Sequence, residues 1–258
     1  MIFILSPAKK MQESQIKFSD LTLPVFERKT RELLQYLNVC SPQKIASLMK
    51  ISDALAWKNK QRYQDILNGS APIYPAIELF AGDVYRGLDY SSLNQLSRKY
   101  LENQLLILSG LYGVLKPRDG ISPYRLEMGT SLSTTSTDNL YEFWNGLLHE
   151  YIIQKIQDDI NTEKMCLINL ASQEYAKAVD FKKIPYPVIT PVFKRINPKN
   201  GQYQIVGVLA KYARGLMVRY AAERQLTNIE DLKTFNLENY IYRPDLSNTN
   251  EWIFIQTN

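Results

Sequence analysis

Apolar positions along this chain fall into two interleaved patterns. Short unbroken runs predict buried strands at Ile2–Leu5, Leu105–Leu108, Met165–Leu170, Val188–Phe193, Tyr203–Leu209 and Trp252–Ile255, each too short for a helix and closed by polar or turn residues. Between them, apolar residues recur three and four apart, which predicts amphipathic helices over residues 25–37, 42–50, 53–66, 91–103, 139–158 and 210–225. Ser41-Pro42 fits an N-cap followed by proline at the first helical position, and Ser52 or Asp53 supplies the next cap. Asn68–Pro72 is a turn signal, too short for a flexible linker. The interspersed elements predict an α+β (mixed α/β) fold, a single compact domain over residues 1–258 whose central mixed sheet is flanked by helices. Strand order is not legible in the pattern. The brief connection at Ile51-Ser52 makes the pair at 42–66 a candidate helix-hairpin-helix, whose hairpin amides would hold a DNA backbone without reading sequence. The glycine turn at Gly110–Gly113 is a rival for that hairpin.

Composition narrows the chemistry. The hydrophobic fraction of 45% and charged fraction of 22% exclude wholesale disorder. No apolar run approaches the roughly 20 residues of a membrane span, and the first apolar stretch is too short for a signal peptide. A cytoplasmic protein with no membrane partner is the expectation. The chain has one His and two Cys, so zinc sites built on several histidines are excluded, and Cys40, Cys166 and His149 show no metal spacing. His149 lies in a stretch of helical period and is expected at the surface or half-buried. No metal site and no cofactor are implied.

The net charge of +5 matters only through its distribution. Seven basic residues lie between Lys194 and Arg224, opposed by Glu223 alone. On the helix predicted there, Lys211, Arg214 and Arg219 share one arc, beside an apolar arc of Tyr212, Ala213, Leu216, Met217 and Tyr220. Smaller basic clusters stand at Lys9-Lys10, at 44–62 and at Lys116, Arg118 and Arg125.

Four segments carry further candidate chemistry. Ser6-Pro7-Ala8-Lys9-Lys10 follows the first strand, where ligand crevices of sheet-centred folds lie. Asp83 stands in a loop bracketed by Gly82 and Gly87, as a general base or as the partner of Arg86. The stretch 108–129 runs from a strand into a turn whose amides could cradle phosphate, with Tyr112, Tyr124, Arg125 and Glu127 beyond it; Asp119 and Glu127 offer to neutralise its cations instead. Asn169 and Ser172 lie where a strand gives way to a helix, with Ser172 as candidate N-cap.

Taken together, SPAK at 6–9, GDVYRGL at 82–88, LSGLYGVLKPRDGISPYRLEMG at 108–129, LYEFW at 140–144, INLASQEY at 168–175, PVF at 191–193 and AKYARGLM at 210–217 resemble the peroxide stress protein YaaA family from end to end. The resemblance implies a cytoplasmic bacterial protein linked to hydrogen peroxide resistance. It also implies a role in limiting unincorporated intracellular iron, and so oxidative DNA damage. It further implies a single-domain fold with a positively charged cleft and a helix-hairpin-helix able to bind DNA. Lys10 and Met11 depart from the family, where Thr and an aliphatic residue usually follow SPAK, and Ala176 stands where an aromatic is common. No catalytic residue carries over.

Two functions follow as expectations. In the first, Lys9, Lys10, Arg118, Arg125, Lys211, Arg214 and Arg219 contact DNA phosphates in one cleft, single- or double-stranded and with little sequence specificity, while Tyr112 or Tyr124 stacks on bases. In the second, Ser6, Asp83, Tyr112, Tyr124, Glu127, Asn169 and Ser172 form a polar pocket at strand ends, where the protein acts as an enzyme on a nucleotide, nucleoside or modified base. Direct iron sequestration is disfavoured, because no carboxylate cluster has ligand spacing. An open basic groove would favour the first function and a closed polar pocket the second. The oligomeric state is left open.

Overall fold

Ile2–Leu5 (β1) is the middle of the molecule: all four residues are buried, and the strand pairs in parallel on both sides. A strand covered on both faces needs no polar alternation, which is why it reads as a continuous apolar run. The computed structural model describes residues 1–12, 20–159 and 165–257. Its main sheet contains, in chain order, β1, Leu105–Ser109 (β2), Gly113–Leu115 (β3), Leu167–Leu170 (β4), Val188–Ile196 (β5), Tyr203–Gln204 (β6), Tyr240–Tyr242 (β7) and Glu251–Gln256 (β8).

The spatial order is β7-β8-β5-β4-β1-β2-β3, with β6 paired to β5. The five strands from β8 to β2 run parallel, and β3, β6 and β7 are antiparallel additions. The chain first builds outward from β1 to β2, then returns to lay β4 on the other side of β1. That reversal is a topological switch point, and open α/β sheets bind ligands outside the carboxyl ends of the strands at such a point.

Helices follow from local signals. Glu27–Val39 (α1) buries Leu33, Leu34 and Leu37. Pro42–Met49 (α2) and Asp53–Asn68 (α3) form the expected helical hairpin. The Ser41 hydroxyl accepts the Lys44 amide at 3.2 Å, and that of Ser52 accepts Leu55 at 3.4 Å, so each helix starts where its capping residue sits. Asp83–Leu88 (α4), Gln95–Gln104 (α5), Leu147–Gln157 (α6) and Gly207–Arg224 (α7) complete the longer set. One continuous apolar cluster joins sheet and helices.

Four local expectations differ from the structure. Residues 207–209 open α7 instead of extending β6. The helix expected over 139–158 is two pieces, Leu140–Phe143 and α6, parted at Gly146. Residues 83–88, expected as a loop, form α4. His149 is buried on the inner face of α6, not at the surface. The Gly110–Gly113 turn closes the β2–β3 hairpin and is buried. A Cβ at Gly110 would lie 2.4 Å from the Leu126 carbonyl oxygen, so this glycine allows chain packing and leaves no room to cradle a phosphate.

Candidate functional site

Register brings the first two site residues together. Leu5 pairs with Leu170, so β1 and β4 leave the sheet side by side. The Ser6 hydroxyl accepts the Ser172 amide at 2.8 Å and approaches the Ser172 hydroxyl at 3.2 Å. Ser172 therefore spends its side chain on Ser6 and does not cap the helix that follows it. The Tyr85 hydroxyl donates to the Ser6 carbonyl at 2.9 Å and fixes the turn from the other side.

Beyond these strand ends lies a cleft of about 300 Å³. Its walls come from the Ser6–Met11 loop, the Ala81–Tyr85 segment, Tyr124–Glu127, Ser172–Tyr175 and the first half of α7. A two-residue ladder, Lys10–Met11 against Phe80–Ala81, ties the first wall to the second. The α4 and α7 walls are locked by two glycines. A Cβ on Gly87 would stand 2.2 Å from the Tyr212 carbonyl oxygen, and one on Gly215 would stand 1.8 Å from that of Val84.

Five of the seven basic residues expected in one cleft line it: Lys9, Lys10, Arg125, Lys211 and Arg214. Arg118 stands apart, 3.5 Å from Asp20 and 3.7 Å from Glu102. Arg219 also stands apart, 2.8 Å from Glu223 and 3.4 Å from Asp89, with the Ser92 hydroxyl at 2.8 Å. Of the polar-pocket candidates, Ser6, Asp83, Tyr124, Glu127 and Ser172 line the cleft. Asn169 is buried in β4, donating to Thr190 at 3.2 Å and accepting the Ala171 amide at 3.1 Å. Tyr112 is buried elsewhere, its hydroxyl accepting the Ser122 amide at 3.3 Å, and it lines a separate cavity of about 170 Å³.

Charge inside the cleft is partly compensated. Glu127 lies 2.8 Å from Arg125 and 3.1 Å from Lys9. Beyond these ion pairs, Glu127 Oε1 and Arg125 Nε are buried without a hydrogen-bond partner among the described residues. Asp83 pairs with Arg86 at 3.3 Å, and Glu174 accepts the Gly129 amide at 2.9 Å. Arg214 has no ion pair or hydrogen bond among the described residues, and burial pushes its guanidinium pKa down. Tyr63 of α3 reaches the site from behind, its hydroxyl donating to the Arg125 carbonyl at 2.5 Å.

Tyr85, Tyr124 and Tyr175 form the floor. All three are buried, and burial pushes each phenol pKa above its ordinary value, with the neighbouring phenols adding to the shift. Tyr85 and Tyr175 were not singled out from the sequence. Each sits in a distinctive motif, GDVYRGL and INLASQEY, but an aromatic at helical spacing reads first as core.

The fold and this cleft define a class: an α/β protein with one cationic, tyrosine-floored cleft at the switch point of its sheet. The chain belongs to the peroxide stress protein YaaA family, whose family model matches residues 1–246. A UPF0246 protein of Neisseria gonorrhoeae is 44% identical, covering 100% of this chain and 98% of that protein. A UPF0246 protein of a Psychrobacter species is 45% identical over 98% of this chain and 97% of its own length, and one from a Marinomonas species is 43% identical over 99% and 97%. Family membership supports a role in peroxide stress. Among the described residues no helix is long and apolar enough to cross a membrane.

Proposed function

We propose that the protein serves the peroxide-stress response by holding DNA, single- or double-stranded, against the mouth of this cleft with little sequence specificity, so limiting oxidative DNA damage and unincorporated intracellular iron in the cytoplasm. One observation carries the reading: Lys9, Lys10, Arg125, Lys211 and Arg214, from three separate parts of the sequence, converge on a single cleft. Lys9, Lys10 and Lys211 are exposed at its rim, where mobile ammonium groups suit phosphate contacts that need no fixed geometry. Two of the three cleft carboxylates are engaged by cations, Glu127 by Lys9 and Arg125 and Asp83 by Arg86, and Glu174 accepts the Gly129 amide, so this reading takes the iron effect as indirect. Random-sequence duplexes titrated at low salt test it: binding that weakens steeply with added salt supports it, and no binding at low salt contradicts it.

A second reading is favoured by the enclosed half of the site. The buried tyrosine floor, the Ser6–Ser172 pair and three carboxylates are more varied than a backbone-binding surface requires, and they suit an enzyme acting on a nucleotide, nucleoside or modified base. Incubation with a nucleotide panel followed by mass analysis tests that reading, and unchanged masses throughout contradict it.

A further inference from the structure

We propose that the floor of the cleft is a binding site for a nucleoside monophosphate, free or as the phosphorylated end of a DNA strand, with Arg214 as the phosphate anchor. This deepens the nucleic-acid reading at the same site, and rests on it only for the strand-end form.

The donors come first. Arg214 is half-buried and has no acidic or hydrogen-bonding partner among the described residues. Its guanidinium meets no counter-charge from the described residues, and a bound anion would supply one. Two phenols join it. Ser109 accepts amides from Leu111 at 3.2 Å and Tyr112 at 2.9 Å, which fills its acceptor sites. Its hydroxyl proton therefore goes to the Tyr124 oxygen 2.6 Å away, and the Tyr124 proton stays free. Tyr175 is buried on the same floor, and burial keeps its phenol protonated, as it does that of Tyr124. Arg214 and these two tyrosines line one cleft, and a guanidinium with protonated phenols beside it suits a ligand bearing acceptor oxygens.

Charge and size narrow the class. Five cations line the cleft against Asp83, Glu127 and Glu174, and Asp83 is already paired with Arg86, a positive excess that suits a phosphate monoester near −2 at neutral pH. A cavity of about 300 Å³ is more than a bare phosphate fills. The rest is walled by Pro7, Ala8, Met11, Val84, Leu126 and the tyrosine rings, apolar and aromatic surface suited to a base.

Calorimetric titration of the intact protein with deoxyadenosine 5′-monophosphate, deoxyadenosine and inorganic phosphate tests this. The monophosphate is expected to bind at least tenfold more tightly than either fragment, with Arg214→Gln losing at least tenfold and Lys211→Gln about threefold. A 5′-phosphorylated single strand should compete with the monophosphate more strongly than its 5′-hydroxyl counterpart. Equal binding of all three small molecules by the wild-type protein overturns the proposal without reference to any variant's folding. Covalently closed circular DNA separates the two claims. If it binds and the monophosphate does not, the pocket assignment alone fails; if the monophosphate binds and circular DNA does not, the DNA reading alone fails; if neither binds, both fail.

Discussion

Gly87 and Gly215 each occupy a position on their helix where the other helix's backbone leaves no room for a side chain. The missing Cβ atoms would stand 2.2 Å from the Tyr212 carbonyl oxygen and 1.8 Å from that of Val84. Backbone cannot swing aside as a flexible side chain does, so Gly215→Ala must part α4 from α7. Its cost is expected at the upper end of overpacking, about 3 kcal/mol. Lys211 and Arg214 would move away from Asp83 and Tyr85, so thermal stability and anion affinity should fall together. A variant with unchanged melting temperature would refute this packing.

Tyr63 links the helical hairpin to the cleft. It is fully buried, and its hydroxyl reaches the Arg125 carbonyl. Tyr63→Phe keeps the ring and orphans that carbonyl, for an expected loss of about 1–3 kcal/mol in a urea titration. Anion affinity should drop further, because the Arg125 backbone loses its anchor. An affinity equal to wild type would mean that the hairpin does not position the site.

Glu127 is the carboxylate that most restrains the cleft's positive charge, facing both Lys9 and Arg125. Glu127→Gln should tighten binding of a phosphate-bearing polyanion by about threefold to tenfold at low salt, on the order of 1 kcal/mol. Fluorescence anisotropy with a labelled oligonucleotide measures it, and weaker binding by the variant would contradict this role.

The buried phenols set an alkaline limit. Their folded pKa values lie above the ordinary 10.0, with Tyr112 pushed up to about 12. The unfolded chain therefore releases these protons first as pH rises. The stability they contribute is complete below pH 10 and is lost progressively above it. Tyrosinate absorbance from the buried set should rise only above pH 10, together with loss of secondary structure. A single smooth titration with the fold intact would contradict the burial of these rings.

Local signals made the frame readable. Ile2–Leu5 declared a two-sided strand, and Ser41 and Ser52 declared the helical hairpin, because caps and apolar runs act over a few residues. Gly207 misled: Val208 and Leu209 look like strand continuation, but they open α7, half of whose residues are buried. The site was legible only in pieces. Its walls come from five segments, and only the strand order, with β1 between β4 and β2, brings Ser6 beside Ser172. Arg219 fell outside because Glu223, one turn along α7, holds it at 2.8 Å, a pairing the sequence spacing already allowed. Arg118 needed the fold to reveal Glu102 beside it.

The most direct test concerns the three exposed rim lysines. The slope of log affinity against log salt for a random-sequence duplex should be compared between the wild-type protein and Lys9→Gln/Lys10→Gln/Lys211→Gln. Each phosphate contact removed lowers the slope by roughly 0.9, so the account predicts a slope shallower by about 2 to 3. The counterpart Lys44→Gln/Lys50→Gln/Lys58→Gln, exposed on the helical hairpin, should change it little. An unchanged slope in the rim variant, or a loss confined to the hairpin variant, would contradict the assignment of the cleft as the nucleic-acid surface.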